Sequence, residues 1–334
     1  MTLSSPDISP LATNAPRRWR DVLLAPALFT LVAFGLISLA MATGWEETTT
    51  QLAKLGAMQI VVLLALSLLN YLLRGARWHL FARRLGLRVT FRQSQRHFLG
   101  GFAMSVTPGR VGELIRLRWI TRECGGAPER AAPLVLIDRA SDLAAMAIIL
   151  ALALSQSLSN LSVAAPVVAA LSLLAAFIVT RPKLLTYTIG SIWKIIGRKP
   201  RLFARARRAA RSLVAFTNLW FLLPALSIGL LGWLAEGYAF WLLLDWFDAS
   251  IGFWKAVGIF TFATLAGGLT GAPGGVGGAE AAMIALLTLE GIAPGLSVPA
   301  TIIIRVTTLW FAIVIGLLVF PYAEKKSRLA AVNS

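Results

Sequence analysis

The sequence predicts an all-α polytopic membrane protein built on an inverted-topology repeat. It should have about six full transmembrane helices, two Pro-Gly-broken re-entrant hairpins and both termini inside. Three observations carry this prediction. Of 334 residues, 57% are hydrophobic and only 14% charged, whereas a soluble domain carries about 25% charge. The apolar residues fall into blocks of roughly twenty, the length a helix needs to cross about 30 Å of hydrocarbon. Two further apolar blocks are interrupted at their centres by Pro-Gly.

Full spans are expected at about 21–43, 57–79, 131–154, 161–180, 220–246 and 298–320, within one transmembrane domain of residues 21–322 flanked by tails at 1–20 and 323–334. The first span also mimics a cleavable signal, with Arg17, Arg18 and Arg20 before an apolar run ending Ala40-Met41-Ala42. That run exceeds the 7–15 residues usual for such a signal, so a span is the expectation. The broken blocks, 97–120 and 256–289, carry Pro108-Gly109 and Pro273-Gly274. Each half is too short to cross alone, which predicts re-entrant hairpins.

The 32 Lys+Arg against 15 Asp+Glu give a net charge of +17. In a soluble chain that excess would raise nucleic-acid binding, but in a membrane protein its location decides. Arginines cluster after span two (Arg74, Arg77, Arg83, Arg84, Arg88, Arg92, Arg96), after span four and after span six, whereas the connections of opposite parity hold only Lys54 and Lys255. Every basic loop thus falls on one side, which the positive-inside rule makes cytoplasmic.

A repeat is expected at an offset of about 165 residues. Pro108-Gly109-Arg110-Val111-Gly112 parallels Pro273-Gly274-Gly275-Val276-Gly277, and the run from Pro133 to Arg139 parallels that from Pro299 to Arg305. The unit is span, broken hairpin, span, over about 57–154 and 220–320. The two units start in opposite directions, so the repeat is inverted, an architecture of secondary transporters.

The candidate site follows from the hairpin tips, Pro108, Gly109, Gly112, Pro273, Gly274, Gly275 and Gly277. Pro and Gly free backbone groups at membrane depth, tolerable only against protein or a wet cavity. Tight glycine packing through Gly267, Gly271 and Gly275 is the competing role. Half-helices beginning after each turn would aim their N-terminal dipoles at a phosphate or carboxylate. Arg110 marks the cytoplasmic tip and Arg116 follows it, whereas the external tip has no Arg. This asymmetry suggests collecting an anionic head group from the inner leaflet and releasing it outside. Glu113, Asp138, Arg139, Asp142, Glu236, Glu280 and Arg305 lie in or beside apolar segments and should be paired or solvated. Arg139 is expected to neutralise Glu113, and Arg305 to neutralise Glu280.

Other chemistry is not expected. Gly275 begins G-x-G-x-x-E with no strand before it, so it is no dinucleotide loop, and no Walker sequence occurs. One cysteine, Cys124, and two histidines, His79 and His97, suit neither a disulfide nor a usual metal centre. No cofactor or metal is expected, and Asp138 with Asp142 lacks a nucleophile pattern that would suggest catalysis. Leu202, Ala206, Ala209, Leu213 and Phe216 fall on one helical face, with Arg201, Arg205, Arg208 and Arg211 elsewhere, predicting a basic amphipathic linker on the inner leaflet over about 181–216.

With Asn70 to Trp78, Thr107 to Arg116, Leu136 to Arg139 and Ala272 to Glu280 ahead of Arg305, the sequence resembles the lysylphosphatidylglycerol synthase transmembrane-region family over about residues 20–322. The resemblance implies a flippase-like domain, here without the cytosolic aminoacyl-transferase domain of the fused members. It matches Arg110, Glu113, Arg116, Asp138, Arg139, Glu280 and Arg305 to the family's motif positions; their assignment to lipid head-group contact is our inference. The expected function is lipid transport in a cytoplasmic membrane and not enzymatic. The alternatives are a membrane-embedded transferase on lipid-linked substrates and a non-transporting scaffold. Membrane lipids are the expected partners and nucleic acid is not. A second copy of the chain and a separate lipid-modifying enzyme stay open as protein partners.

Overall fold

The computed structural model describes residues 49–51, 53–105, 111–125, 128–156, 164–196, 213–270 and 272–332, together with Phe203, Arg207, Ala210 and Arg211. The expected first span, 21–43, and the first hairpin tip, Pro108, Gly109 and Arg110, lie outside the described residues.

Among the described residues the fold is all helical and membrane-integral. Helix α1 (Ala57–Arg84) is followed by α2 (Phe91–Gly100), a tight turn at Gly101–Met104, α3 (Val111–Cys124) and the long α4 (Pro128–Gln156). Next come α5 (Ala164–Thr180) and α6 (Pro182–Ile196). Then α7 (Leu219–Trp246), α8 (Phe253–Leu269), α9 (Gly278–Leu289), α10 (Pro294–Arg305) and α11 (Phe311–Val332) complete the chain, with a π-turn at Val306–Trp310 between the last two. Among the described residues, α1 to α4 and α7 to α11 each run long helix, two short helices, long helix, with a Pro-Gly segment between the short pair in the sequence.

Helix α1 buries polar and charged groups that a soluble helix would expose. On α1 the buried face carries Ser67, Asn70, Tyr71, Arg74 and Arg77, whereas Met58, Val61, Leu69 and Leu72 are exposed. Lipid solvates the apolar face, and the polar groups must find partners within the protein. Helix α1, residues Trp220–Trp246 and the continuous Pro294–Val332 are each long and apolar enough to cross a bilayer.

Local chemistry sets the helix starts. Thr90 begins α2 with a reciprocal cap: its hydroxyl accepts from the Gln93 amide at 3.3 Å, and the Gln93 side chain accepts from the Thr90 amide at 2.8 Å. Asn218 caps α7 through the Trp220 amide at 2.9 Å. Two apolar cores result. One joins α4 and α7 to α8 and α9 around Phe240, Ile259 and Met283, and the other joins α1 to α2, α3 and α4 around Trp78, Phe98 and Ile137.

Helix α5 ends at Thr180, where the fourth span is expected to end, and the chain then turns sharply: residues Pro166–Ile178 and Pro182–Lys194 are bent by 101° about the break at Arg181. Pro182 has no amide to continue the preceding helix and disfavours the helical conformation at Arg181. Two expectations are corrected. The basic linker does not end as a surface helix. Leu213–Phe216 is a single tight turn with Leu213 and Phe216 buried, the Phe216 ring lying 5.5 Å from that of Phe81, and Arg84 Nε donating to the Ala215 carbonyl at 2.9 Å. Leu202, Ala206, Ala209, Arg201, Arg205 and Arg208 lie outside the described residues. Finally, the last helix continues past the expected end of span six to Val332, where Glu324 accepts from Trp119 Nε1 at 2.7 Å and pairs with Arg122 at 3.1 Å.

Candidate functional site

The second hairpin can be built atom by atom. Gly274, Gly275 and Gly277 have φ of 65°, 67° and 86°, so this reversal needs residues without a Cβ. A Cβ on Gly275 would also stand 3.0 Å from the Gly267 carbonyl carbon, so the turn packs directly on α8. The expected glycine packing and a place beside a cavity thus coexist. Glu280, in the first turn of α9, accepts from the Gly277 amide at 2.7 Å. The positive end of α9 is therefore occupied by its own carboxylate instead of lying open to a ligand. The other Glu280 oxygen meets Arg305 Nε at 2.6 Å, and Arg305 Nη2 donates to the Gly274 carbonyl at 3.0 Å. Arg305 and Glu280 pair as the sequence suggests.

A second network joins α1 to α4. Arg77, fully buried, lies 2.6 Å from both Asp138 and Asp142; Arg74 lies 2.7 Å from Asp142. Arg139 completes it at 2.9 Å from Asp138 and 3.2 Å from Asp142, and Trp233 Nε1 donates to Asp142 at 3.2 Å. Counting Arg74 and Arg77 among the loop charges after span two is therefore wrong. Helix α1 carries them inward, and the two aspartates of α4 provide the compensation that burial of a charge requires. Any contact between Arg139 and Glu113 involves a side chain outside the described set, as do the side chains of Val111 and Gly112.

Arg116 is held differently. Its guanidinium stacks 4.2 Å from the centre of the Phe98 ring, 5.3 Å from Phe102 and 5.8 Å from Trp78, a cation–π arrangement in a dry setting. Gly101 makes room for it, because a Cβ there would fall 2.1 Å from Arg116 Nε.

These elements enclose a cavity of about 220 Å³. Gly101 to Ser105 of the first hairpin and Gly274 and Gly275 of the second form two walls; Arg74, Arg116, Arg139 and Arg305 supply cations, and Glu236 of α7 a carboxyl. Tyr71 lies on the same wall and donates to the Thr308 carbonyl, which also accepts from the Phe311 amide at the end of the π-turn. Among the described residues, Arg116, Arg139 and Arg305 line this space, with Asp138 and Glu280 behind it as ion-pair partners of Arg139 and Arg305; the sequence-based site lacked Glu236 on α7 and, on α1, the lining residues Tyr71 and Arg74 and the buried Arg77. For the three on α1 the signal was the shared face of Ser67, Asn70, Tyr71, Arg74 and Arg77. Among the described residues the lining carries the guanidinium groups of Arg74, Arg116, Arg139 and Arg305 and the carboxyl of Glu236, a set of cations able to attract an anion.

Comparison with known proteins gives two findings. The family described as "Lysylphosphatidylglycerol synthase TM region" matches residues 22–316. A UPF0104 membrane protein of Methanothermobacter thermautotrophicus is 24% identical over 318 residues, covering 87% of this chain and 94% of that protein.

Proposed function

Because the chain belongs to the lysylphosphatidylglycerol synthase transmembrane-region family, we propose that it is a lipid transporter and not an enzyme. It moves a polar or anionic lipid head group across the cytoplasmic membrane through the cavity between the two hairpins. The observation that carries this reading is the convergence of both hairpin segments on a cavity lined by Arg74, Arg116, Arg139 and Arg305. A space of about 220 Å³ is several times the roughly 30 Å³ that one water occupies, enough for a phosphate-bearing group while acyl chains stay in lipid. The order long, short, short, long in both halves supports an inverted repeat whose halves exchange conformations to open the site alternately to each face.

The test is made in liposomes carrying a trace of phosphatidylglycerol labelled with a chemically reducible fluorophore. Protein should raise the fraction of probe reached by an external, membrane-impermeant reductant above the outer-leaflet share. Absence of any increase with anionic, aminoacylated and glycosylated probes would sink the proposal. A changed lipid mass would instead reveal a transferase.

A further inference from the structure

Glu236 stands apart from the other buried acids. Among the described residues, Asp138, Asp142, Glu280 and Glu123 each have a basic side chain within ion-pair distance. Glu236 is 4% exposed and lines the cavity, with no such partner; its polar neighbour is Asn70 of α1. Three of the helices packed against α7 turn titratable or charged groups toward Glu236. Helix α1 brings Tyr71 and Arg74, α4 brings Arg139 and Asp142, and α10 brings Arg305. Helix α8 faces the space with Phe260 and Thr264, its Lys255 being held by Glu290 at 2.6 Å. The arginines are already committed: Arg74 to Asp142, Arg305 to Glu280, and Arg139 to both aspartates of α4.

We propose that Glu236 is the proton-binding group of the transport cycle, and that a proton and an anionic head group occupy the cavity together. This rests on the transport reading above and names its coupling ion. A carboxyl oxygen of Glu236 takes one proton from water on the side to which the cavity is open, and returns it to water on the other. Protonation removes a negative charge from beside Arg74 and Arg305 and so strengthens their hold on an anion. By reciprocity, a bound anion strengthens proton binding by the same factor. Two ligands that favour each other's binding cross in the same direction. A singly charged head group with one proton crosses as a neutral load, so the pH difference, and not the membrane potential, sets its direction. The lipid accumulates in the leaflet facing the more alkaline side. Where the outside is more acidic that direction is inward, opposite to the one suggested by the basic cytoplasmic tip.

Two measurements test this. First, short-chain phosphatidylglycerol is added to purified protein in weakly buffered detergent with a pH-indicating dye. Binding should draw up to one proton per lipid from solution in the wild type and none in Glu236→Gln. Binding without proton uptake in the wild type, or equal uptake by both, overturns the proposal; no binding by either overturns the transport reading with it. Second, vesicles with a trace of fluorescent phosphatidylglycerol are held at a pH difference of one unit. The final leaflet ratio should move toward about tenfold in favour of the alkaline side for one proton per lipid. Clamping the potential with potassium and valinomycin should not change it, and Glu236→Gln should end at an equal distribution. Wild-type movement to an equal distribution under the gradient overturns coupling while leaving transport standing. If Glu236→Gln keeps the pH response and loses only a preference for aminoacylated lipid, Glu236 recognises an amine and the proton proposal falls.

Discussion

Arg305 Nε lies 2.6 Å from Glu280 Oε1 while the other oxygen of the same carboxylate caps α9 through the Gly277 amide. One acid therefore neutralises an arginine and fixes a turn. Arg305→Ala leaves Glu280 buried beside the turn without its counter-ion, and should cost about 3–5 kcal/mol. Arg305→Leu with Glu280→Gln should recover most of that, since no lone charge remains, yet leave lipid movement impaired. Thermal unfolding in detergent and flipping rate, read on the same double-mutant cycle, separate the two effects. Additive stability losses would show that the pair is not coupled.

Arg77→Met should be among the most damaging single changes on α1. It removes the fully buried cation that bonds both Asp138 and Asp142, with an expected loss of about 3–5 kcal/mol. Adding Asp138→Asn should restore part of it. Equal unfolding temperatures for wild type and Arg77→Met would contradict the network.

Gly101→Ala tests the seat of Arg116. The added methyl collides with Arg116 Nε, forcing the guanidinium from Phe98 or moving the turn, at about 1–3 kcal/mol for overpacking. Transport should fall further than stability, because Arg116 lines the cavity. A stability loss with unchanged flipping would place Arg116 outside the transport path.

Tyr71→Phe removes the side-chain donor to the Thr308 carbonyl. The carbonyl keeps the Phe311 amide, so the loss should be that of one hydrogen bond, about 0.5–1.5 kcal/mol, and backbone amide exchange across Val306–Trp310 should quicken. Unchanged exchange there would show that the π-turn does not depend on this bond.

How much of this was legible in the sequence varies by element. Glu280 and Arg305 could be paired because each belongs to a motif and they lie within a helix–turn–helix reach. The second turn was legible because Pro273 cannot continue a helix and Gly274 and Gly275 reach the positive φ that the reversal needs. Arg74 and Arg77 misled, because hydropathy marks where apolar character fades and not where a helix ends; α1 runs on to Arg84. Their compensation comes from Asp138, 61 residues along the chain from Arg77, and Asp142, 68 residues from Arg74, and no local pattern reports those distances. Glu236 was visible as a charge in an apolar run, but its want of an ionic partner is a property of how α7 sits against its neighbours. The end of α5 was legible in Arg181-Pro182-Lys183, where charges and a proline follow the apolar run, but the angle at which α6 leaves it was not.

The π-turn at Val306–Trp310 has a consequence for how the last helix works as a whole. Wider turns hold one residue more than an α-helix of equal length, and one residue corresponds to about 100° of rotation. The two ends of Pro294–Val332 are therefore set at different phases. The upper end turns Arg305 toward Glu280, and the lower end turns Glu324 toward Trp119 and Arg122 of α3. Deleting Leu309 would bring the helix back into a single phase and could satisfy only one of these contacts. The extra residue acts as the gear tooth by which the second hairpin, the cavity and the α3 end of the first hairpin are kept in mesh along one continuous helix.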